Sequence, residues 1–203
     1  MARKSNIDSA LFFMEHGVHL DTHTIWVGAV GNVDDEDDPD EITQQSVSRI
    51  IRGLHLLSSS DPVKEITIMM STGGGDVDAG LALFDYIRNL SNPVHISVYG
   101  SAFSMGAALL QAGDRRSMSR HSALMIHDGF ASAEGHSRDT RKNWLDFSRI
   151  QDKWYEQIIL ESLRAKDPEF SSKKLTHWLS KDTIFTADKC LELGLIDSIS
   201  GKE

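Results

Sequence analysis

Three side chains suited to acyl-transfer chemistry stand far apart in the chain: Ser104, His127 and Asp182. A serine hydroxyl attacks a carbonyl when an imidazole takes its proton and a carboxylate orients that imidazole. N–H donors must also receive the charge that develops on the oxyanion. Ser104 follows an apolar run at 96–99 and the small residues Gly100, Ser101 and Ala102. It precedes a stretch of helix formers over 105–112 that Gly113 closes. A serine at such a strand-to-helix turn projects beside N–H groups with no partners of their own, where the helix dipole favours negative charge. Gly100, Ala102 and Gly106 leave room for another chain to approach. His127 closes a strand whose Met125 and Ile126 belong in a core, Asp182 stands before an apolar pair, and Gly73-Gly74-Gly75 offers unencumbered N–H groups. Each has an ordinary alternative: an N-cap serine, a satisfied edge histidine, a turn-capping aspartate. A phosphate loop is a poor alternative for the glycines, because the Gly-Lys-Ser/Thr ending is missing.

The elements around these residues alternate. Residues 24–30 read as a strand from their β-branched and aromatic content. An acidic stretch, Asp34 to Glu41, reads as a solvated loop leading into a helix; it lacks the alternating ligands and central glycine of a calcium loop. That helix shows helical spacing of Val47, Ile50, Ile51, Leu54 and Leu57 and stops at Ser58–Pro62. A strand at 63–70, a tight glycine turn at 71–76, a helix at 78–90 and a strand at 94–99 follow. Strand, helix, strand, helix predicts right-handed crossovers and a mostly parallel sheet. The turns at Gly73–Gly75 and Gly100–Ser104 then lie side by side at one sheet edge.

Two short strands are expected at 116–120 and 123–127, then a helix over 138–165 with Trp144, Phe147, Ile150 (or Gln151), Trp154 and Ile158 along one stripe. Such a helix spans roughly 40 Å, longer than a domain of this size needs, so it is expected to project into a subunit interface. Helices at 172–179 and 187–193 (capped by Thr186 and Gly194) and a strand at 195–197 complete the chain.

At 203 residues the chain fits one domain with a substantial core. A net charge of −9 argues against nucleic acid as the main partner. No apolar run approaches a membrane span, and the single cysteine, Cys190, excludes an internal disulfide and a cysteine-based zinc cluster. His16, His19 and His23 lie close in sequence without a recognisable metal-ligand spacing, so no metal is expected. The cytoplasm is the expected compartment.

Four motifs stand in order: Gly74-Gly75 followed by Ala79-Gly80; Gly100-Ser101-Ala102-Phe103-Ser104-Met105-Gly106; Met125-Ile126-His127; and Lys181-Asp182 to Ala187 with Gly194-Leu195-Ile196-Asp197. Through them residues 24–198 resemble the proteolytic subunit of the ATP-dependent Clp protease, the ClpP family. The resemblance implies an α/β fold of ClpP/crotonase-like repeated β-β-α units with a projecting long handle helix. It implies one peptidase domain over 1–203, with an N-terminal axial segment at 1–23 and a handle region at 131–170. Ser104 would be the nucleophile, His127 the general base and acid, and Asp182 the orienting carboxylate. The N–H groups of Gly75 and Met105 would form the oxyanion hole. Gly74, Gly129, Phe130 and Ala131 would bind substrate, which adds as a strand along 129–133. No cofactor is implied. The implied assembly is two stacked seven-membered rings of this chain, fed unfolded polypeptides by a hexameric AAA+ unfoldase of the ClpX, ClpA or ClpC type.

The chain departs from the family pattern in four places. Gly73 replaces a proline before the glycine pair, leaving room for a looser oxyanion turn. Asp128-Gly129 replaces glutamine-proline after the histidine, the acidic stretch 34–41 looks inserted, and the first 20 residues differ from the usual axial-loop pattern. Two other readings compete with an active peptidase: a structural ring subunit that assembles without cleaving, and a crotonase-type acyl-CoA enzyme.

Overall fold

The computed structural model describes residues 9, 11–28, 41–129 and 138–201. Phe130, Ala131 and the acidic residues 34–40 lie outside that set. So do most of 1–10 and the start of the expected handle region, 131–137.

A mainly parallel sheet organises the chain. β1 (Val18–His19) pairs antiparallel with β2 (Thr24–Val27). From there the strands run parallel through β4 (Ile66–Thr72), β6 (Val94–Phe103), β7 (Arg115–Ser119) and β10 (Ser198–Ser200). β8 (Ala123–Ile126) joins the far half of β6 in parallel, and β9 (Thr183–Thr186) closes antiparallel on β8. A small second sheet pairs β3 (Glu41–Ile42) with β5 (Gly74–Gly75). Residues 11–16 are helical, and the further helices among the described residues are α1 (Gln44–Ser60), α2 (Val77–Arg88), α3 (Met105–Leu110), α4 (Arg138–Lys166), α5 (Ser172–Leu179) and α6 (Ala187–Leu193).

The core follows from the strand period of two. Along β4, Ile66, Ile68 and Met70 are buried while Thr67, Met69 and Ser71 are only half-buried. Ile96 and Val98 on β6, Leu54 and Leu57 on α1, and Leu83 on α2 complete the same apolar layer. Each such aliphatic side chain contributes about 2 kcal/mol on leaving water, which is what commits one face of each strand inward. Helix ends are closed locally. Thr43 and Ser46 form a capping box on α1, Asp76 accepts from the Ala79 N–H on α2, and Gly194 ends α6 at φ 77°.

β6 runs four residues beyond the expected end at Tyr99. Gly100 at φ 104° bends the strand without ending it, and the pairing with β4 shifts register between Met70 and Thr72. Before the bend β6 pairs with β7, and beyond it Ser101–Phe103 pair with Ala123–Met125 of β8. The strand expected from residue 63 starts at Ile66, because the Asp61 carboxylate takes the N–H groups of Val63 and Lys64 and makes a turn of them. Gly74 and Gly75, expected only as a turn, pair with β3. The last strand is Ser198–Ser200 rather than 195–197. Leu195 and Ile196 are buried core plugs, and Asp197 is held by the Arg116 backbone N–H and guanidinium.

α4 has 29 residues and a length of about 44 Å. Its inward row is Gln151, Tyr155, Ile159 and Leu163, one position on from the stripe expected at 144–158. Trp144, Leu145, Phe147, Ile150 and Trp154 are exposed. His23 is buried, with its ring nitrogens on the Glu65 carbonyl and the Ser60 hydroxyl, and His19 Nδ1 meets Thr22. Cys190 is buried in α6, and burial pushes its thiol up to about 12.

Candidate active site

Strand register assembles the three residues. Phe103 of β6 pairs with Met125 of β8, so the next residues, Ser104 and Ile126–His127, leave the sheet at the same edge. Ile126 pairs in turn with Thr183 of β9, so Asp182 enters that strand beside His127 as it leaves β8. Two adjacent pairings thus converge residues 104, 127 and 182.

Ser104 occupies the N-cap position of α3 at φ 52° and ψ −121°, a conformation that costs a non-glycine residue about 1–3 kcal/mol. Its N–H donates to the Met125 carbonyl and its own carbonyl accepts from the Ala107 N–H, both at 2.9 Å. The hydroxyl does not cap the helix. It lies 2.7 Å from His127 Nε2 instead, which decides against the N-cap reading. The His127 side chain is 14% exposed, and its Nδ1 stands 3.5 Å from Asp182 Oδ1. That separation is an ion-pair distance, longer than a good hydrogen bond, and the Asp182 side chain is 72% exposed. Asp182 itself adopts φ 45°.

The glycine pair is pressed against this turn. A Cβ on Gly74 would fall 2.7 Å from Ser104 Cβ and 3.3 Å from Met105 N, so only glycine fits there at φ 105°. The Gly74 N–H is taken by Thr72 Oγ1. Gly75 follows at φ 141° against the backbone of Ile42, where a Cβ would lie 2.4 Å from the Ile42 carbonyl oxygen. The glycines expected to serve the oxyanion are therefore pinned by β3 on one side and by the nucleophile turn on the other.

Val77, Ser104, Met105, His127, Gly129, Asp152 and Tyr155 line a cleft of about 20 Å³, room for one water-sized group. Gly129 sits against Asp152, whose Oδ1 would be 2.7 Å from a Cβ there. Burial, and then the neighbouring Asp128 charge, raise the Asp152 carboxyl above its ordinary value. Tyr155 donates its hydroxyl to the Ser104 carbonyl at 3.2 Å. Beside it Gln151 hydrogen-bonds Asp78, whose carboxyl is raised by burial and by Asp76 while the Gln151 bond lowers it. Val77, Asp152 and Tyr155 were not foreseen as site residues. The i, i+4, i+8 spacing of Tyr155, Ile159 and Leu163 was the available signal, masked by Trp154 one position away. Among the described residues no group of three or more His, Cys, Asp or Glu side chains is placed to hold a metal ion.

Comparison with known proteins shows what the chain is similar to. The family model described as Clp protease matches residues 39–203. The ATP-dependent Clp protease proteolytic subunit of Deinococcus radiodurans is 31% identical over 160 residues, covering 78% of this chain and 76% of that protein. Proteolytic subunit 1 of Prochlorococcus marinus is 31% identical over 163 residues, covering 79% of this chain and 80% of that protein. Subunit 2 of Parasynechococcus marenigrum is 30% identical over 163 residues, with the same coverage. The matched region contains the glycine pair, the nucleophile turn, the histidine strand and the aspartate loop: the chain belongs to the Clp protease family.

Proposed function

We propose that this chain is a serine endopeptidase whose nucleophile is Ser104, and the 2.7 Å contact between Ser104 Oγ and His127 Nε2 carries the reading. In the first step Ser104 Oγ attacks the scissile carbonyl while its proton passes to His127 Nε2. The Asp182 carboxylate orients the ring through Nδ1 and stabilises the imidazolium. The N–H groups of Met105 and Gly75 receive the oxyanion; in such sites one donor is worth about 3 kcal/mol in the transition state. The intermediate collapses as His127 returns the proton to the leaving amine. Water, deprotonated by the same ring, then hydrolyses the acyl-enzyme and restores the serine.

Substrate is an extended, unfolded polypeptide that adds as a strand along Gly129, Phe130 and Ala131, with Gly74 as a further substrate contact. Main-chain pairing of this kind gives little sequence preference. The working form is two stacked seven-membered rings, and the exposed apolar side chains of α4 supply a surface for joining them. An AAA+ unfoldase feeds the chamber, in keeping with relatives named as subunits of an ATP-dependent protease. The cytoplasm is the proposed compartment; among the described residues no helix is long and apolar enough to cross a membrane.

The test is a fluorophosphonate probe together with a fluorogenic peptide. Wild type should be labelled at Ser104, and Ser104→Ala should lose both label and cleavage while keeping its oligomeric size. Cleavage retained in Ser104→Ala overturns the mechanism. A wild-type assembly that takes no label favours the structural ring subunit.

A further inference from the structure

We propose that Tyr155 is a positioning residue for the oxyanion donor: by holding the Ser104 carbonyl, its hydroxyl aims the N–H of the same peptide, on Met105, at the reacting carbonyl. The inference rests on reading Ser104 as the nucleophile and goes one residue further into that site.

A trans peptide is planar, so its C=O and N–H point in opposite directions and cannot be aimed independently. The peptide joining Ser104 to Met105 follows a residue at φ 52° and ψ −121°, outside the conformations that such a residue adopts unaided. Its carbonyl therefore needs anchors. The structure supplies two: the Ala107 N–H at 2.9 Å and the Tyr155 hydroxyl at 3.2 Å. The first comes from α3 itself and moves with the turn. The second comes from α4 and ties the turn to a separate body of the fold. Tyr155 is 7% exposed and sits in the inward row with Gln151, Ile159 and Leu163, so its ring has little freedom to follow a drifting peptide. Burial, helped by the Asp128 charge, pushes the phenol well above its ordinary value, and the group stays a donor throughout the working pH range. Ser104 Oγ is meanwhile engaged by His127, so the Tyr155 bond constrains the donor side of the site without competing for the nucleophile.

The experiment compares wild type with Tyr155→Phe in the assembled protein. Competent sites are counted by fluorophosphonate titration, and kcat, KM and the affinity for a peptide boronate that mimics the tetrahedral adduct are measured. Phenylalanine fills the same space, so a purely space-filling role leaves all three unchanged. The expected result is a kcat per titrated site lowered roughly five- to tenfold, the effect of one hydrogen bond. KM should stay within about twofold, and boronate affinity should weaken by the same factor as kcat/KM, as a transition-state effect requires. Unchanged kcat, or a raised KM with kcat unchanged, overturns the proposal. Tyr155→Leu removes the same donor with a different shape and should show the same split. If neither variant has titratable sites, Tyr155 is a folding residue and the proposal falls. Failure of the nucleophile reading has a separate signature: wild type would take no label and Ser104→Ala would still cleave.

Discussion

Ile126 and Thr183 face each other across the β8–β9 pair, and this one register places His127 against Asp182. A slip of a single residue would turn every side chain of β9 to the other face and carry the carboxylate away. The register is held by Phe185, buried in the core, and by the Thr183 hydroxyl, which donates to the Trp178 carbonyl at 2.7 Å.

The two residues that follow from this pairing should differ in weight. His127→Ala removes the proton carrier and should lower kcat by about 10⁴-fold or more. Asp182→Asn should cost about 10²-fold, less than for a buried triad carboxylate, because this one is largely exposed and 3.5 Å away. Steady-state cleavage of one fluorogenic peptide by the assembled variants checks the order; equal losses would show that Asp182 is held more tightly in the working form.

Gly74→Ala places a methyl group 2.7 Å from Ser104 Cβ at a φ of 105°. The nucleophile turn has to move or the glycine strand has to unpair from Ile42. A stability loss of about 1–3 kcal/mol should appear in denaturant unfolding, together with a larger proportional loss of cleavage. An alanine variant with wild-type activity would show that the two turns are not in contact during the reaction.

Asp197 should give the fold an acid-sensitive clamp. Burial works against its carboxylate, yet the hydrogen bonds and charge of Arg116 hold it below the ordinary 3.8. A depressed folded value means that the contribution is complete above pH 3.8 and fades as pH falls through the folded value. Asp197→Asn should therefore lower the thermal midpoint at pH 7, with the gap to wild type closing as pH falls below 3.8 and through the folded value. A gap that persists unchanged in acid would assign the effect to lost geometry instead of charge.

Trp144→Glu on α4 should leave the fold intact and reduce the particle mass, read by light scattering. The side chain is 44% exposed in the single chain, so the substitution strips no core; what it charges is the apolar face proposed to join the rings. An unchanged mass would move the junction elsewhere.

Much of this was legible beforehand because it is local. The Ser104 turn, the caps at Thr186 and Gly194 and the bounds of α5 and α6 depend on neighbours a few residues away, and the structure has them as expected. What escaped notice depends on distant partners. That Gly75 must be glycine is set by Ile42, the extension of β6 past Gly100 by its change of partner from β7 to β8, and the role of Tyr155 by a carbonyl 51 residues away. On α4 the sequence signal was the apolar stripe through the tryptophans, expected to project outward, and Trp144 and Trp154 are exposed; the less apolar row through Tyr155 that packs inside carried no comparable signal.

The single cysteine has a practical consequence. With its thiol buried in α6 and pushed up to about 12, Cys190 carries almost no thiolate at neutral pH and offers no path to an alkylating reagent. The native protein is thus a silent background on which a cysteine placed at the exposed Ile184 can take a single dye. The moment at which Cys190 itself begins to react would time the unpacking of the helix that follows Asp182 and β9.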